Sequence, residues 1–126
     1  MARQHLIHEQ LTRSVIGAFY EVYTLGFGFL DHVYIMGFER ELLARGHRVG
    51  REVCVIVRYK GEPLVSQRLD MVVDDVIIVE TKATRRLHRS APRQVYNYLR
   101  ATNLEVGLLL HFGPTPSFYR LISSNR

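Results

Sequence analysis

The stretch of sequence that decides the fold is Arg68-Leu-Asp-Met-Val-Val-Asp-Asp-Val-Ile-Ile-Val-Glu-Thr-Lys82. It contains two aliphatic runs, residues 69–73 and 76–79, on either side of Asp74-Asp75. β-Branched and aliphatic runs separated by two turn-forming residues are typical of two strands joined by a tight turn. The stretch therefore predicts a β-hairpin that turns at residues 74–75.

The predicted hairpin carries charged side chains where buried strands rarely hold them. Asp70 lies within the first strand, and Glu80 and Lys82 end the second. The two-residue period of a strand places Glu80 and Lys82 on one face of the sheet and Thr81 on the other. The turn brings Asp70 next to residues 79–80, so two carboxylates and one ammonium converge. This set suits a hard divalent cation such as Mg²⁺, and a salt bridge at a strand end is the alternative that the hairpin alone leaves open.

The bulk composition is that of a folded basic protein. A chain of 126 residues predicts one domain, residues 1–126, and its 47% hydrophobic and 23% charged residues exclude long disordered segments. Lys and Arg total 17 against 12 Asp and Glu, giving a net charge of +5. We therefore expect attraction to polyanions such as nucleic acids, with a merely basic surface as the alternative.

The cysteine content and the apolar runs bear on where the protein works. Cys54 is the only cysteine and lies in an apolar run, so we expect it to be a small core residue, and a disulfide is excluded. No apolar run approaches the roughly 18 residues of a membrane-spanning helix. We therefore expect a cytoplasmic protein with no membrane association. An open sheet edge would leave self-association as a homodimer open.

Two helices are predicted before the hairpin. Residues 6–24 place Leu11, Val15, Phe19 and Val22 at spacings of three and four, which indicates an amphipathic helix. Glycines in the segment 25–28 end it, and Asp31 lies in the first turn of a second helix. The predicted core face of that second helix consists of Leu30, Val33, Tyr34, Phe38, Leu42 and Leu43.

The remaining pattern predicts five strands and one more helix. The strands are expected at about 51–59, 64–73, 76–82, 105–112 and 117–122, with a helix at about 91–102 after the N-cap residue Ser90. The order α-α-β-β-β-α-β-β is buried most simply as an α/β fold in which helices flank a central mixed sheet. The histidines form no spaced pair that indicates zinc.

At this point the sequence resembles a known group. Asp70, followed by Glu80-Thr-Lys82 and a helix with Gln94-Val-Tyr-Asn-Tyr98, resembles the PD-(D/E)XK nuclease superfamily, including the Q-x-x-x-Y helix of its exonuclease-like members. The stretches 16–23, 25–34 and 107–113 are similar to the small bacterial proteins called the GxxExxY family. The chain departs from that family at Asp31, where a glutamate is usual, and at Phe27, where a proline is usual.

The resemblance implies a fold and an activity. The fold is an α/β core with a central four-stranded mixed sheet and helices on both sides, and the activity is metal-dependent hydrolysis of phosphodiester bonds in DNA or RNA. Asp70, Glu80 and the Thr81 carbonyl would hold Mg²⁺ or Mn²⁺. Lys82 would either deprotonate the attacking water or stabilise the transition state. A catalytically reduced nucleic-acid-binding or regulatory protein on the same fold is the alternative.

The resemblance also implies roles for residues outside the hairpin. Glu21 would be the acidic residue that a helix contributes to the catalytic site, with Asp31 as its competitor. Gln94 and Tyr98 would orient the site or contact a phosphate. A non-specific grip on the nucleic-acid backbone would come from the basic residues Arg85, Arg86, Arg89 and Arg93.

Overall fold

Residues 8–124 form three helices and five strands in a computed structural model, and the description below is restricted to them. The elements are α1 (Glu9–Tyr23), α2 (Asp31–Ala44), β1 (Val49–Tyr59), β2 (Glu62–Val73), β3 (Ile77–Lys82), α3 (Ala91–Arg100), β4 (Val106–Phe112) and β5 (Pro116–Ile122). This is the predicted order. Residues 6 and 7, the predicted start of the first helix, lie outside the described part. No helix within residues 8–124 has the length and apolar character needed to cross a membrane.

The five strands form one mixed sheet in the order β1-β2-β3-β4-β5. The β1/β2, β2/β3 and β4/β5 pairs are antiparallel, whereas β3 and β4 are parallel and are connected through α3. The sheet has one strand more than the four-stranded core implied by the resemblance, and it has the five strands read from the sequence pattern. The predicted α/β class is confirmed.

The core has two layers because helices cover both faces of the sheet. On one face, Phe19 of α1 and Phe38 of α2 pack in a cluster with Val79 and Leu108. On the other face, α3 packs its buried residues Val95, Tyr98 and Leu99 against alternate strand residues such as Ile78 and Leu109. The period of two along β3 thus places Glu80, like Ile78, on the face that α3 covers.

The turn between β2 and β3 spans three residues, 74–76, because Val73 pairs with Ile77. Asp74 and Asp75 both have positive φ, 52° and 61°, and a main-chain hydrogen bond closes the turn, as in a type I′ turn. The Asp74 carboxylate accepts a hydrogen bond from Arg48 N at 2.7 Å and lies 2.8 Å from His47 Nδ1. Burial alone would raise the pKa of Asp74, but these contacts outweigh burial and lower it.

Three residues expected in the core are exposed. Leu30 is 72% exposed because it precedes the first turn of α2, and Leu43 is 52% exposed because it lies about 100° around the helix from buried Leu42. Cys54 is exposed because alternate residues of β1 point to opposite faces: Val53 and Val55 pack in the cluster on the α3 side, and Cys54 points to the other face. Ser90 occupies the predicted N-cap position, but its hydroxyl contacts His88 Nδ1 instead of capping α3.

The two turn aspartates should respond differently to replacement by glycine. Asp75→Gly relieves a left-handed backbone and removes only an exposed ion pair with Arg48, so we expect the free energy of unfolding to stay within about 0.5 kcal/mol of wild type. Asp74→Gly removes the contacts to Arg48 N and His47 and should cost about 2 kcal/mol. Urea denaturation of both variants measures this, and equal losses would contradict the assigned turn.

Candidate active site

The strands β2 and β3 separate where the charged residues begin. Their ladder runs from the pair Val73 and Ile77 at the turn to the pair Met71 and Val79. Beyond that pair, side chains take over the hydrogen bonds: Asp70 N donates to Glu80 Oε1 at 2.9 Å.

The Asp70 carboxylate is fixed by the opposite strand. Thr81 N donates to Asp70 Oδ2 at 2.9 Å, and Thr81 Oγ1 donates to the same oxygen at 3.1 Å. With the bond from Asp70 N to Glu80, each carboxylate is therefore held by the partner strand's main chain. The structure brings Asp70 and Glu80 together, as the hairpin predicted.

Glu80 is a buried carboxyl group whose protonation is perturbed. It is 5% exposed, and burial together with the negative charge of Asp70 raises the pKa of Glu80 from 4.5 to about 7. The hydrogen bond from Asp70 N and the positive charge of Lys82 act in the opposite direction. Near neutral pH, Glu80 is therefore partly protonated.

The donor chemistry of this pair suits a divalent cation. Two adjacent carboxylates that resist simultaneous ionisation are relieved by a cation between them, and Mg²⁺ typically uses one or two carboxylates and completes its shell with water. Within residues 8–124, no group of three or more His, Cys, Asp or Glu side chains converges for metal binding. Asp70 and Glu80 as cation ligands, with the Thr81 carbonyl as a third, therefore remain a prediction.

Lys82 does not form a close salt bridge with these carboxylates. The ion pairs within 4 Å among the described residues do not join Lys82 to Asp70 or Glu80. Its charge nevertheless lowers the pKa of Glu80. The alternative of a simple salt bridge at the strand end is thus not what the hairpin shows.

Helix α3 places Gln94 and Tyr98 beside the carboxylates. Burial raises the pKa of Tyr98, the negative charges of Glu80 and then Asp70 raise it further, and a hydrogen bond with Gln94 lowers it. The four-residue spacing of Gln94 and Tyr98 puts both on one face of the helix. The structure therefore places Tyr98, with Gln94 hydrogen-bonded to it, close to Asp70 and Glu80.

A cavity of about 240 Å³ lies next to Lys82. Lys82, Arg86 and Gln94 line it together with Thr84 and Ser90. An ammonium, a guanidinium and hydroxyl groups are the donors that bind phosphate. The cavity thus contains hydrogen-bond donors suited to a phosphate, and one of them is Lys82, two residues after Glu80.

The other predicted basic residues lie around this cavity or farther out. Arg85 stacks its guanidinium 5.4 Å from the centroid of the exposed Phe27 ring, and Arg93 lies 5.1 Å from that of Tyr96. Arg89 is exposed. Of the four arginines, only Arg86 lines the Lys82 cavity.

Within residues 8–124, Glu21 does not form a group of three metal-binding side chains with Asp70 and Glu80. It is exposed on α1, and the charges that shift the pKa of Glu80 are those of Asp70 and Lys82. Asp31 is exposed at the first position of α2. The catalytic role of either residue stays a prediction.

Sequence reasoning missed the polar residues of the loop between β3 and α3. His111, the partner of Lys82 in the β3/β4 ladder, is buried, and its Nε2 lies 2.8 Å from Thr84 O. Thr84, His88 and Ser90 line the Lys82 cavity. In the sequence, Thr84, His88 and Ser90 are marked as site residues only by their position shortly after Lys82. His111 has no such signal, because the parallel register that sets it beside Lys82 follows from tertiary packing.

The described fold and the carboxylate pair are those of an α/β nuclease-type domain. A model of the PD-(D/E)XK nuclease superfamily matches residues 9–121, and the chain belongs to that superfamily. This membership suggests nuclease activity.

One solved structure supports the fold. The chain is similar to the crystal structure of SSO0001, with a TM-score of 0.60 and 19% sequence identity. The match covers 96% of this chain and 61% of SSO0001, so the chain spans less than two thirds of that protein. Among curated proteins, no significant match was found.

The raised pKa of Glu80 predicts how stability depends on pH in the absence of a divalent cation. Between its ordinary pKa of 4.5 and its folded pKa of about 7, the folded protein binds more protons than the unfolded chain. The free energy of unfolding should therefore fall as pH rises through this window, by up to about 3 kcal/mol. Denaturation in EDTA from pH 4.5 to 8 measures the slope.

Glu80→Gln is the matched variant for this pH effect. The amide keeps an oxygen to accept from Asp70 N but cannot ionise, so the downward slope assigned to Glu80 should disappear. The variant should also exceed wild type in stability at pH 8 when no cation is present. A variant with the same pH profile as wild type would show that Glu80 does not titrate as assigned.

Proposed function

We propose that this chain, as a single domain over residues 1–126, is a metal-dependent nuclease that hydrolyses phosphodiester bonds in DNA or RNA. The observation that carries the proposal is the placement of Glu80 beside Asp70 where the β2/β3 ladder opens: Asp70 N donates to Glu80 Oε1 at 2.9 Å, and burial together with the charge of Asp70 raises the pKa of Glu80 to about 7. A protein gains no stability from a buried carboxylate next to a second carboxylate, whereas a cation that they bind makes the arrangement useful. The signatures at 16–23, 25–34 and 107–113 support a finer assignment to the GxxExxY family.

The proposed cation is Mg²⁺ or Mn²⁺, held by Asp70 and Glu80 with the Thr81 carbonyl. When bound, it would supply Lewis acidity and neutralise charge that develops on the phosphate oxygens. The protein fixes its own ligands in advance, because Thr81 N and Thr81 Oγ1 orient Asp70 while Asp70 N orients Glu80.

Lys82 and its neighbours would act on the nucleic acid. Lys82 and Arg86 line the cavity beside the carboxylates and would bind phosphate oxygens there. Lys82 either accepts a proton from the attacking water or, as an ammonium, stabilises the transition state. Gln94 forms a hydrogen bond with Tyr98 and would hold the Tyr98 side chain next to the carboxylates.

A second candidate is a nucleic-acid-binding protein that does not hydrolyse its ligand. The observation that favours it is the exposed position of Glu21, which leaves the carboxylate pair without the predicted third acidic residue. The exposed Arg85 and Arg89 would still contact a phosphate backbone in a salt-dependent manner.

A cleavage assay tests the proposal. Labelled single- and double-stranded DNA and RNA are incubated with Mg²⁺, Mn²⁺ or EDTA and with the wild type or the variants Asp70→Asn, Glu80→Gln and Lys82→Met. We expect cutting that requires a divalent cation and falls at least about 100-fold in each variant, the usual scale for losing a group that stabilises the transition state. The control is Asp75→Asn, which removes an exposed carboxylate at the turn of the same hairpin.

The outcomes separate the two candidates. Cutting in EDTA, or full activity in Asp70→Asn, would refute the proposed mechanism. Retarded nucleic acid in a gel with no cutting under any of these conditions would favour the binding protein.

A further inference from the structure

A second concavity adjoins the Lys82 cavity. It is a cleft of about 610 Å³ between the β1–β2 hairpin and helix α3. The hairpin contributes the apolar side chains Val57 and Val65 and the carboxamide Gln67, and the helix contributes the carboxamides Gln94 and Asn97. The helix also contributes Arg93, whose guanidinium lies over the ring of Tyr96. We call it the carboxamide cleft.

We propose that the carboxamide cleft binds one unpaired nucleobase of a single-stranded DNA or RNA substrate. The proposal rests on the proposed function for its phosphate position, since it places the base beside the phosphate that Lys82 and Arg86 would hold. It adds a substrate class, strands with an unpaired base, to the nuclease activity.

The cleft and the Lys82 cavity share part of their lining. Ser90 and Gln94 line both. Within a nucleotide, the base and its phosphate are separated by a single sugar. A nucleotide whose phosphate occupies the Lys82 cavity can therefore reach the cleft with its base.

The lining of the cleft suits a base better than a phosphate. A carboxamide is uncharged and both donates and accepts hydrogen bonds, which is the pattern of a base edge, whereas phosphate oxygens only accept. Gln67, Gln94 and Asn97 provide three such groups. Val57 and Val65 provide apolar surface for the faces of the ring.

Tyr98 completes the cleft on the side of the carboxylates. It is buried, lines the cleft, and is near enough to Glu80 for that charge to raise its pKa. The cleft thus connects base binding to the carboxylate pair through one side chain.

A base inside a duplex cannot use this cleft. Its pairing edge is occupied and its faces are stacked, so entry requires that the base leave the stack. Single strands present such bases without this cost. We therefore expect single strands and unpaired ends to bind more tightly than blunt duplex.

The test measures binding in EDTA, where the proposed reaction does not run. The probes are a fluorescent single-stranded octanucleotide, a set of the same strand with one abasic site at each position in turn, and a blunt duplex. The proteins are wild type, the double variant Gln67→Ala/Asn97→Ala, and the control Gln10→Ala. Gln10 is an exposed carboxamide of α1, which packs on the opposite face of the sheet from α3. Fluorescence anisotropy gives Kd at several salt concentrations.

Wild type and the control should bind the intact strand about 10-fold more tightly than the strand with the abasic site at one particular position. The double variant should bind the intact strand about 10-fold more weakly than wild type and should not distinguish it from that abasic strand. The dependence of log Kd on log salt should be the same for wild type and the double variant, because the two substitutions remove no phosphate contact. Duplex binding should not change.

Several results would overturn the inference. They are equal binding of intact and every abasic strand by wild type, an equal loss for single strand and duplex in the double variant, or a shallower salt dependence in that variant. If the double variant fails to fold by circular dichroism, Asn97→Ala alone replaces it, since Asn97 is exposed on α3.

The proposed function and this inference can fail separately. An abasic effect without any cutting in Mg²⁺ or Mn²⁺ would refute the nuclease and keep the base-binding cleft. Metal-dependent cutting that is abolished by Asp70→Asn, combined with no abasic effect on binding, would refute the cleft and keep the nuclease.

Discussion

The exchange of hydrogen bonds between Asp70, Glu80 and Thr81 is the constraint on which the site depends. Where the β2/β3 ladder gives way, Asp70 N donates to the Glu80 carboxylate and Thr81 N donates to the Asp70 carboxylate. Main-chain donors that would otherwise be buried without partners are satisfied by the two acids. The same bonds fix the two acids next to each other. The carboxylate pair therefore forms at the point where the sheet opens and through the hydrogen bonds that replace the ladder.

This arrangement has an energetic cost. Burying Glu80 beside Asp70 raises the pKa of Glu80 to about 7, which means that the ionised pair opposes folding at neutral pH when no cation is present. The hydrophobic layers on both faces of the sheet compensate for it, with Ile78 on the α3 side and Val79 on the α1 side next to the pair. Local conflict of this kind, surrounded by an otherwise consistent fold, is typical of functional sites.

The sequence predicted local features well and tertiary ones less well. The period of two along residues 76–82 and the turn at Asp74-Asp75 were sufficient to predict that Asp70 lies near residues 79–80. They did not give the exact register, because a two-residue turn would pair Val73 with Val76, whereas Val73 pairs with Ile77. Sequence could not show that Cys54 is exposed, since that depends on which face of β1 is covered by packing. It could not show that Glu21 is exposed, because the rotation of α1 on the sheet is set by packing on distant strands.

The most direct measurement of the central claim is calorimetric titration of the protein with Mn²⁺ at pH 6 in buffers of different ionisation enthalpy. If Glu80 is protonated at this pH and forms the cation site with Asp70, binding should release about one proton per ion, because ligand carboxyls must ionise. The release should approach zero by pH 8.5, and Glu80→Gln should abolish it. Binding without proton release, or unchanged binding in Glu80→Gln, would show that Glu80 is not a ligand of the cation.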